Sequence, residues 1–369
     1  PGLIDILGLG TALPNHGMPQ SDSARLAKPL CCRSQAQSRL FGVLYRRSRI
    51  QSRYSVLLSR PSGNGPVQSF FQPAQDGDDL GPSTQQRMQR YAADVAPLAS
   101  EASAAALEEA GADPLEIDHL ITVSCTGFVA PGVDVMLIKQ LGLRPTVSRS
   151  QVGFMGCHGS FNGLRIASAL LNESAGADCR VLMCAVELCS LHFAYGWDPQ
   201  KIVANALFAD GAAAVVASRS AAGSNGSGHH FRLAANGSII LPDSEDAMTW
   251  RICDHGFEMT LSPRVPDLIH AHLRPWLSRW LADHGLSIDT IGSWAVHPGG
   301  PRILQSVADC LDLPAGALDD SEAILSDCGN MSSPTILFIV DRLRRRQAPH
   351  PCVALGFGPG LAAEAMLLV

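Results

Sequence analysis

Charge is scarce in this chain, and so are paired cysteines. Only 17% of its 369 residues are charged and 6% are aromatic, against 46% hydrophobic. A formal net charge of −6 excludes a broadly basic surface, and with it nucleic acid or an anionic membrane as the main partner. No apolar run approaches the ~20 residues of a membrane span. The opening residues read as a strand and not as a secretory leader, so a cytoplasmic protein is expected. The eleven cysteines contain no Cys-x-x-Cys pair and no zinc-ligand spacing. A reduced protein without a structural metal is expected from that pattern. His229-His230 lies in a Gly/Ser-rich loop and reads as solvated, not as a ligand pair.

What the chain has instead is an alternation of buried strands and helices, long enough for two domains or one duplicated unit. Residues 3–13 read as a buried first strand, and residues 14–80 are less regular, with a basic stretch at 46–54. Residues 61–82, rich in Gly, Pro, Asp and Gln, read as a surface loop. Helical periodicity over 84–110 ends on Gly111, a C-cap residue. A strand over 119–124 runs into Cys125-Thr126-Gly127, and a short helix near 134–141 precedes a glycine-rich turn and a longer helix. Strands over 180–187 and 212–217 follow, then a Ser/Gly loop over 219–230. That loop sets a boundary between residues 1–220 and 221–369.

The second half repeats the plan. A strand-like run over 231–241 leads to a helix over 265–284, a strand over 293–296 and helices over 301–311 and 332–347. A final strand pair is split at residues 356–360. Such alternation predicts parallel-rich sheets covered by helices. Two halves facing each other would bring their strand ends to one central site.

Three residues stand at those places. Cys157 lies between Gly156 and Gly159 at the start of a helical pattern. The positive end of a helix favours a thiolate there, and the glycines allow a sharp turn and close approach of a substrate. His297 closes a strand before Pro298-Gly299-Gly300, and Asn330 precedes an apolar helix. Singly they read as a core cysteine, a hydrogen-bonded core histidine and an N-cap. Jointly they read as an active site. The order Cys, His, Asn also occurs in papain-like proteases. Those enzymes carry a tryptophan just after the nucleophile, which this chain lacks, and the strand–helix alternation is wrong for them.

Six segments make the pattern specific: GFVAPGVDVMLIKQLGLRP, GFMGCHGSFNGLRIA, ALFADGAAAVV, AVHPGGPRIL, CGNMSSPTILFI and GFGPGL. Over residues 85–369 the chain resembles the type III polyketide synthases, the chalcone synthase-like family of thiolase-like condensing enzymes, and within it the bacterial branch. Residues 1–84 match weakly. The resemblance implies an α/β, thiolase-like, duplicated αβαβα five-layer fold. It places the nucleophile Cys157 in the first half and the catalytic His297 and Asn330 in the second. It also implies repeated decarboxylative Claisen condensation of malonyl-CoA onto an acyl-CoA starter, ending in a pyrone, resorcinol or related short polyketide.

By the same resemblance Phe208 is a gatekeeper, and Met259 takes the second gatekeeper position in place of an aromatic residue. Cys125, Thr126, Cys189, His192, Trp250, Ser332 and the run Gly356, Phe357, Gly358, Pro359 would line the substrate cavity. Trp250 replaces a glycine of the plant enzymes, and Ala130 stands where they carry a methionine that crosses the dimer interface. Arg47, with Arg46 and Arg49 nearby, and Gly299 and Gly300 would bind CoA. The implied partners are CoA thioesters, with no metal or other cofactor, and the implied assembly is a homodimer. A single-round ketoacyl synthase III-type enzyme and a non-catalytic thiolase-fold binding protein remain as alternatives. Starter, number of extensions, mode of ring closure and the role of the divergent N-terminal segment are not readable from sequence.

Overall fold

A computed structural model describes residues 2–60, 65–174, 179–220 and 231–369 of the protein. The first half runs β1 (Ile4–Ala12), β2 (Gly17–Pro19), α1 (Gln20–Cys31), α2 (Gln35–Arg47), β3 (Ser52–Tyr54), α3 (Thr84–Ala110), β4 (His119–Ser124), α4 (Val133–Leu141), β5 (Ser148–Gly153), α5 (Gly159–Glu173), β6 (Arg180–Leu188), α6 (Pro199–Leu207) and β7 (Asp210–Arg219). The second runs β8 (Arg232–Ile240), β9 (Met248–Cys253), β10 (Gly256–Leu261), α7 (Val265–Ala282), β11 (Ser293–Val296), α8 (Pro301–Leu311), α9 (Asp319–Cys328), α10 (Thr335–Arg345), β12 (Cys352–Gly358) and β13 (Ala362–Leu368). His229-His230 and most of the 219–230 loop lie outside the described residues.

Nine strands form one sheet in the order β11-β12-β13-β8-β1-β7-β6-β4-β5. Outward from the central β1–β8 pair, β7, β6 and β4 on one side match β13, β12 and β11 on the other. β4 and β6 are parallel, as β11 and β12 are, while β6–β7 and β12–β13 are antiparallel. Among neighbouring strands only β4–β5, β4–β6 and β11–β12 are parallel, which corrects the expectation of parallel-rich sheets. The physical reason is local for β12 and β13: a connection of three residues can join antiparallel strands but not parallel ones.

Alternate residues of each strand face different layers. On β6, Val181, Met183 and Ala185 join Cys352 and Ala354 of β12 in a central core that includes α5 and α10. Leu182, Cys184 and Val186 face α3 in one outer core, and Val353, Leu355 and Phe357 face α7 and α8 in the other. The result is five layers, helix–sheet–helix–sheet–helix. α10 lies in the middle layer and is buried from Thr335 through Asp341, as a helix covered on both sides must be.

Local chemistry sets the long elements. α3 begins at a reciprocal Ser83/Gln86 capping box and ends at Gly111 in the left-handed conformation. It lies directly on β1, because a Cβ at Gly8 or Gly10 would stand 2.2 Å from the carbonyl oxygens of Ala106 and Ala102. Residues 14–80 are more regular than expected, since they contain α1 and α2. Both helices are polar overall and α1 carries an internal Pro29, so packing of Ala27, Leu30, Phe41 and Tyr45 holds them. The expected surface loop over 61–82 is also partly buried where it is described, with Phe71 packed against Phe193 and Tyr195.

Candidate active site

The Cys157 turn is built by what surrounds it. β5 ends at Gly153, a tight helical turn over Gly156–His158 follows, and α5 starts at Gly159. Gly156 has φ +71°, and a Cβ there would sit 2.7 Å from Pro359, so only glycine fits. Cys157 is 5% exposed and Asn330 1% exposed. Asn330 is held by its backbone, its N–H donating to the Leu207 carbonyl at 2.9 Å and its carbonyl accepting from Ala209 N–H at 2.9 Å. This bridge also fixes Phe208 beside it. The Asn330 side chain turns back to accept from Ser332 N–H at 2.8 Å.

Burial pushes the Cys157 thiol up to about 11, partly opposed by hydrogen bonds from Ser332 and Asn330 and reinforced by the nearby Glu187 carboxylate. Burial thus works against the thiolate that the helix terminus favours. A helix terminus contributes about 1 kcal/mol, whereas a rise of two pKa units corresponds to about 3 kcal/mol in the other direction.

His297 follows β11, its N–H donating to the Leu355 carbonyl at 2.8 Å. Its ring is 1% exposed, and neither Nδ1 nor Nε2 has a hydrogen-bond partner. Burial pushes it down to about 3, helped by the charge of His158 next to Cys157. The expected hydrogen bond between His297 and Cys157 is not formed among the described residues. Two unpaired, buried nitrogens each cost about 1–3 kcal/mol, and such an orphan demands an explanation.

Cys157 opens into a cavity. Cys125, Thr126, Cys189, His192, Phe208, Trp250, Met259, Ser332 and Pro359 all line it. Trp250 and Met259 face each other across the β9–β10 hairpin, and Trp250 Nε1 donates to the Cys125 carbonyl at 2.7 Å. His192 is a pillar of this wall. Its Nε2 donates to the Thr126 carbonyl at 2.7 Å, its Nδ1 accepts from Phe257 N–H at 2.9 Å, and its ring stacks on Phe257. Burial pushes it down to about 3, so it is neutral and both nitrogens are occupied.

Three of the expected cavity residues do not line it. Gly356, Phe357 and Gly358 belong to β12, with Phe357 in an outer core. The two glycines make room for α5 and its approach, since a Cβ would stand 2.4 Å from the Phe161 ring at Gly356 and 2.2 Å from His158 at Gly358. Arg47, Gly299 and Gly300 also lie outside the cavity, Arg47 exposed on the last turn of α2 and the glycines at the head of α8.

Family models match nearly the whole chain. The model for the N-terminal domain of chalcone and stilbene synthases matches residues 1–220, and that for the C-terminal domain matches residues 232–369. The chain belongs to the chalcone and stilbene synthase family. It is a type III polyketide synthase, and so an acyltransferase. A 1,3,6,8-tetrahydroxynaphthalene synthase of Streptomyces peucetius subsp. caesius is 36% identical over 98% of this chain and 92% of that protein. An α-pyrone synthesis polyketide synthase-like protein, Pks18 of Mycobacterium tuberculosis, is 32% identical over 98% of this chain and 90% of its own length. The crystal structure of PKS-I from the brown alga Ectocarpus siliculosus superimposes with a TM-score of 0.92 at 30% identity, covering 100% of this chain and 98% of that one.

Two residues of this type III synthase escaped the sequence reading. Glu187 is a fully buried carboxylate under the cavity wall. It accepts from Cys125 N–H at 2.9 Å, Thr126 Oγ1 at 2.7 Å and Ser333 Oγ at 2.5 Å, and burial raises its carboxyl above the ordinary range. Its signal was available: one acid inside an otherwise apolar strand. Arg53 lies in the basic stretch yet is buried, donating to the Phe208 and Asn205 carbonyls at 2.7 Å each and to Gln20 at 2.9 Å. It braces Phe208 from behind, and local sequence does not separate it from its exposed neighbours.

Proposed function

We propose that this synthase extends an acyl-CoA starter with malonyl-CoA through Cys157, His297 and Asn330. His297 takes the Cys157 proton as the two come into hydrogen bond, and the thiolate attacks the starter thioester. The C–S bond to CoA breaks, and the departing thiolate recovers the proton. His297 and Asn330 then donate to the thioester oxygen of malonyl-CoA. The bond to its carboxylate breaks, CO2 leaves, and the electron pair becomes an enolate that the two donors stabilise. The enolate carbon attacks the acyl-Cys157 carbonyl and expels the thiolate, leaving a chain two carbons longer on CoA.

The orphaned His297 carries this proposal. A buried ring with two unpartnered nitrogens, close enough to His158 to feel its field, is costly in a structural role and suited to a ligand that supplies the missing partner. The division of labour follows the two halves, 1–220 supplying Cys157 and 221–369 supplying His297 and Asn330. Phe208 and Met259 keep water from the decarboxylation site. Exposed Arg46 and Arg47, which form no ion pair among the described residues, meet the CoA phosphates, with Gly299 and Gly300 on the same approach. CoA thioesters are the substrates, with no further cofactor. We place the enzyme in the cytoplasm as a homodimer; exposed Phe128 and Met155 offer apolar surface near Ala130 and Cys157 for the contact.

The test is mass spectrometry of products from malonyl-CoA and a panel of acyl-CoA starters. Pyrones or resorcinols containing two or three malonyl units are expected, and none with Cys157→Ala. Products with a single malonyl unit would move the enzyme to the ketoacyl synthase III type. Product formation by Cys157→Ala would remove the nucleophile assignment.

A further inference from the structure

His158, next to the nucleophile, is 4% exposed and does not line the cavity that Cys157 opens into. It heads a polar row, His158, Asn162 and Arg165, at spacings of four and three, which is one face of α5. That face meets the sheet of the other half. Glu364 of β13, buried, stands opposite it, in register with Gly356 of β12 on one side and Ser238 of β8 on the other.

The bonds along the row have one direction. His158 Nδ1 lies 2.8 Å from Asn162 Oδ1, and Asn162 Nδ2 donates to Glu364 Oε1 at 3.4 Å. Glu364 also accepts from Ser238 Oγ at 2.7 Å and is paired with Arg165. An asparagine whose amide nitrogen is spent on a carboxylate presents only an acceptor to the histidine. His158 Nδ1 therefore carries a hydrogen, and the bond fixes the orientation of its ring. The ring lies on β12, where a Cβ at Gly358 would stand 2.2 Å from Cδ2. On the other side of Cys157, Gly156 lies as closely against Pro359. The Cys157 turn is thus seated at both ends on the end of β12. The same strand holds His297, whose N–H donates to the Leu355 carbonyl.

On the reading that Cys157 and His297 act together, we propose that His158 is a positioning residue for the condensation. With Asn162, Glu364 and Arg165 it clamps the Cys157 turn of one half to the strand that holds His297 in the other. The two reactive groups come from different halves, so their meeting depends on contacts between the halves. Buried polar networks rigidify the packing around them and specify one arrangement, and this one begins at the residue that adjoins the nucleophile.

The test measures kcat and KM for malonyl-CoA, and the rate of Cys157 alkylation by iodoacetamide at neutral pH. His158→Phe keeps a ring and loses the donor. Asn162→Leu breaks the same bond from its other end, and it decides the matter if the first variant does not fold. Each should lower kcat about tenfold with KM within about twofold, since neither residue lines the cavity. His158→Asn, whose amide nitrogen takes the place of Nδ1, should stay within about threefold of the wild-type kcat. Alkylation supplies the readout that a merely structural role would not move. His158→Phe should slow it about threefold in the wild-type background and leave it unchanged in His297→Gln, because the clamp acts through His297. Additive slowing in the double variant, or no slowing in either background, overturns the proposal. So does a kcat within about twofold of wild type in both single variants, or an equal loss in His158→Asn. If wild-type enzyme forms no condensation product, the proposed function fails, while the alkylation comparison still decides the clamp.

Discussion

The ends of β4 and β11 occupy matching places in the two halves, and they have opposite chemistry. After β4, Cys125 is tied on every side: its N–H donates to Glu187, its carbonyl accepts from Trp250, and its sulfur lies 3.4 Å from Ser332 Oγ. Thr126 beside it is bound to Glu187, Leu188 N–H and His192. After β11, His297 has two buried nitrogens with nothing attached. A duplicated fold supplies equivalent positions, but hydrogen-bond satisfaction separates wall from tool. Saturated groups hold shape, and the group left unpaired is the one that can meet a ligand.

The largest effect expected from this contrast is catalytic. His297→Gln should lower the rate of condensation by about 10²–10³-fold and slow iodoacetamide alkylation of Cys157 at neutral pH by about tenfold. Cys125→Ser should retain malonyl-CoA decarboxylation. Equal losses in the two variants would erase the distinction between the strand ends.

Next comes the carboxylate that saturates the first strand end. Glu187→Ala leaves the Cys125 N–H, Thr126 and Ser333 without their acceptor and should destabilise the protein by about 3–5 kcal/mol. Chemical denaturation checks this; a change below about 1 kcal/mol would mean that the wall does not depend on it.

Acid sharpens the comparison in another way. His192 and His297 are both depressed to about 3 by burial, so each contributes stability above the unfolded pKa that is lost as pH falls. Asp210, raised to about 6, opposes this, as does the raised carboxyl of Glu187. Between pH 7 and pH 5 the two histidines therefore lower stability while the two carboxyls raise it. Replacing His297 by Gln should make the urea midpoint fall less, or rise more, over that range than it does in the wild type, and an unchanged pH dependence would contradict the burial of that ring.

The smallest change concerns cavity shape. Trp250→Gly removes the hydrogen bond to the Cys125 carbonyl, worth about 1 kcal/mol, and enlarges the space opposite Met259. Products with more malonyl units are expected, read by mass spectrometry. An unchanged product set would show that Trp250 does not limit chain growth.

Much of the site was legible because its signals are local. Cys157 between glycines, His297 at a strand end and Asn330 before an apolar helix are each readable within about ten residues. Gly356 and Gly358 were legible as important but not as to why. Their role is to admit Phe161 and His158, which lie some two hundred positions away and cannot be paired with them by pattern. Arg46, Arg47 and Arg53 look alike in one basic stretch, yet the first two are exposed and the third is buried behind Phe208.

By itself the sequence determined the main strands, the long helices and the duplicated plan, and it singled out Cys157, His297 and Asn330 as candidates, since periodicity, caps and turn residues act over short range. Tertiary structure alone decided strand direction, the shape of the cavity and the protonation of its groups. Arg53 meets partners from three distant segments, and the Cys157 thiol is raised by burial under residues from both halves. Desolvation sums over everything that excludes water from a group, and that sum exists only once the chain has closed.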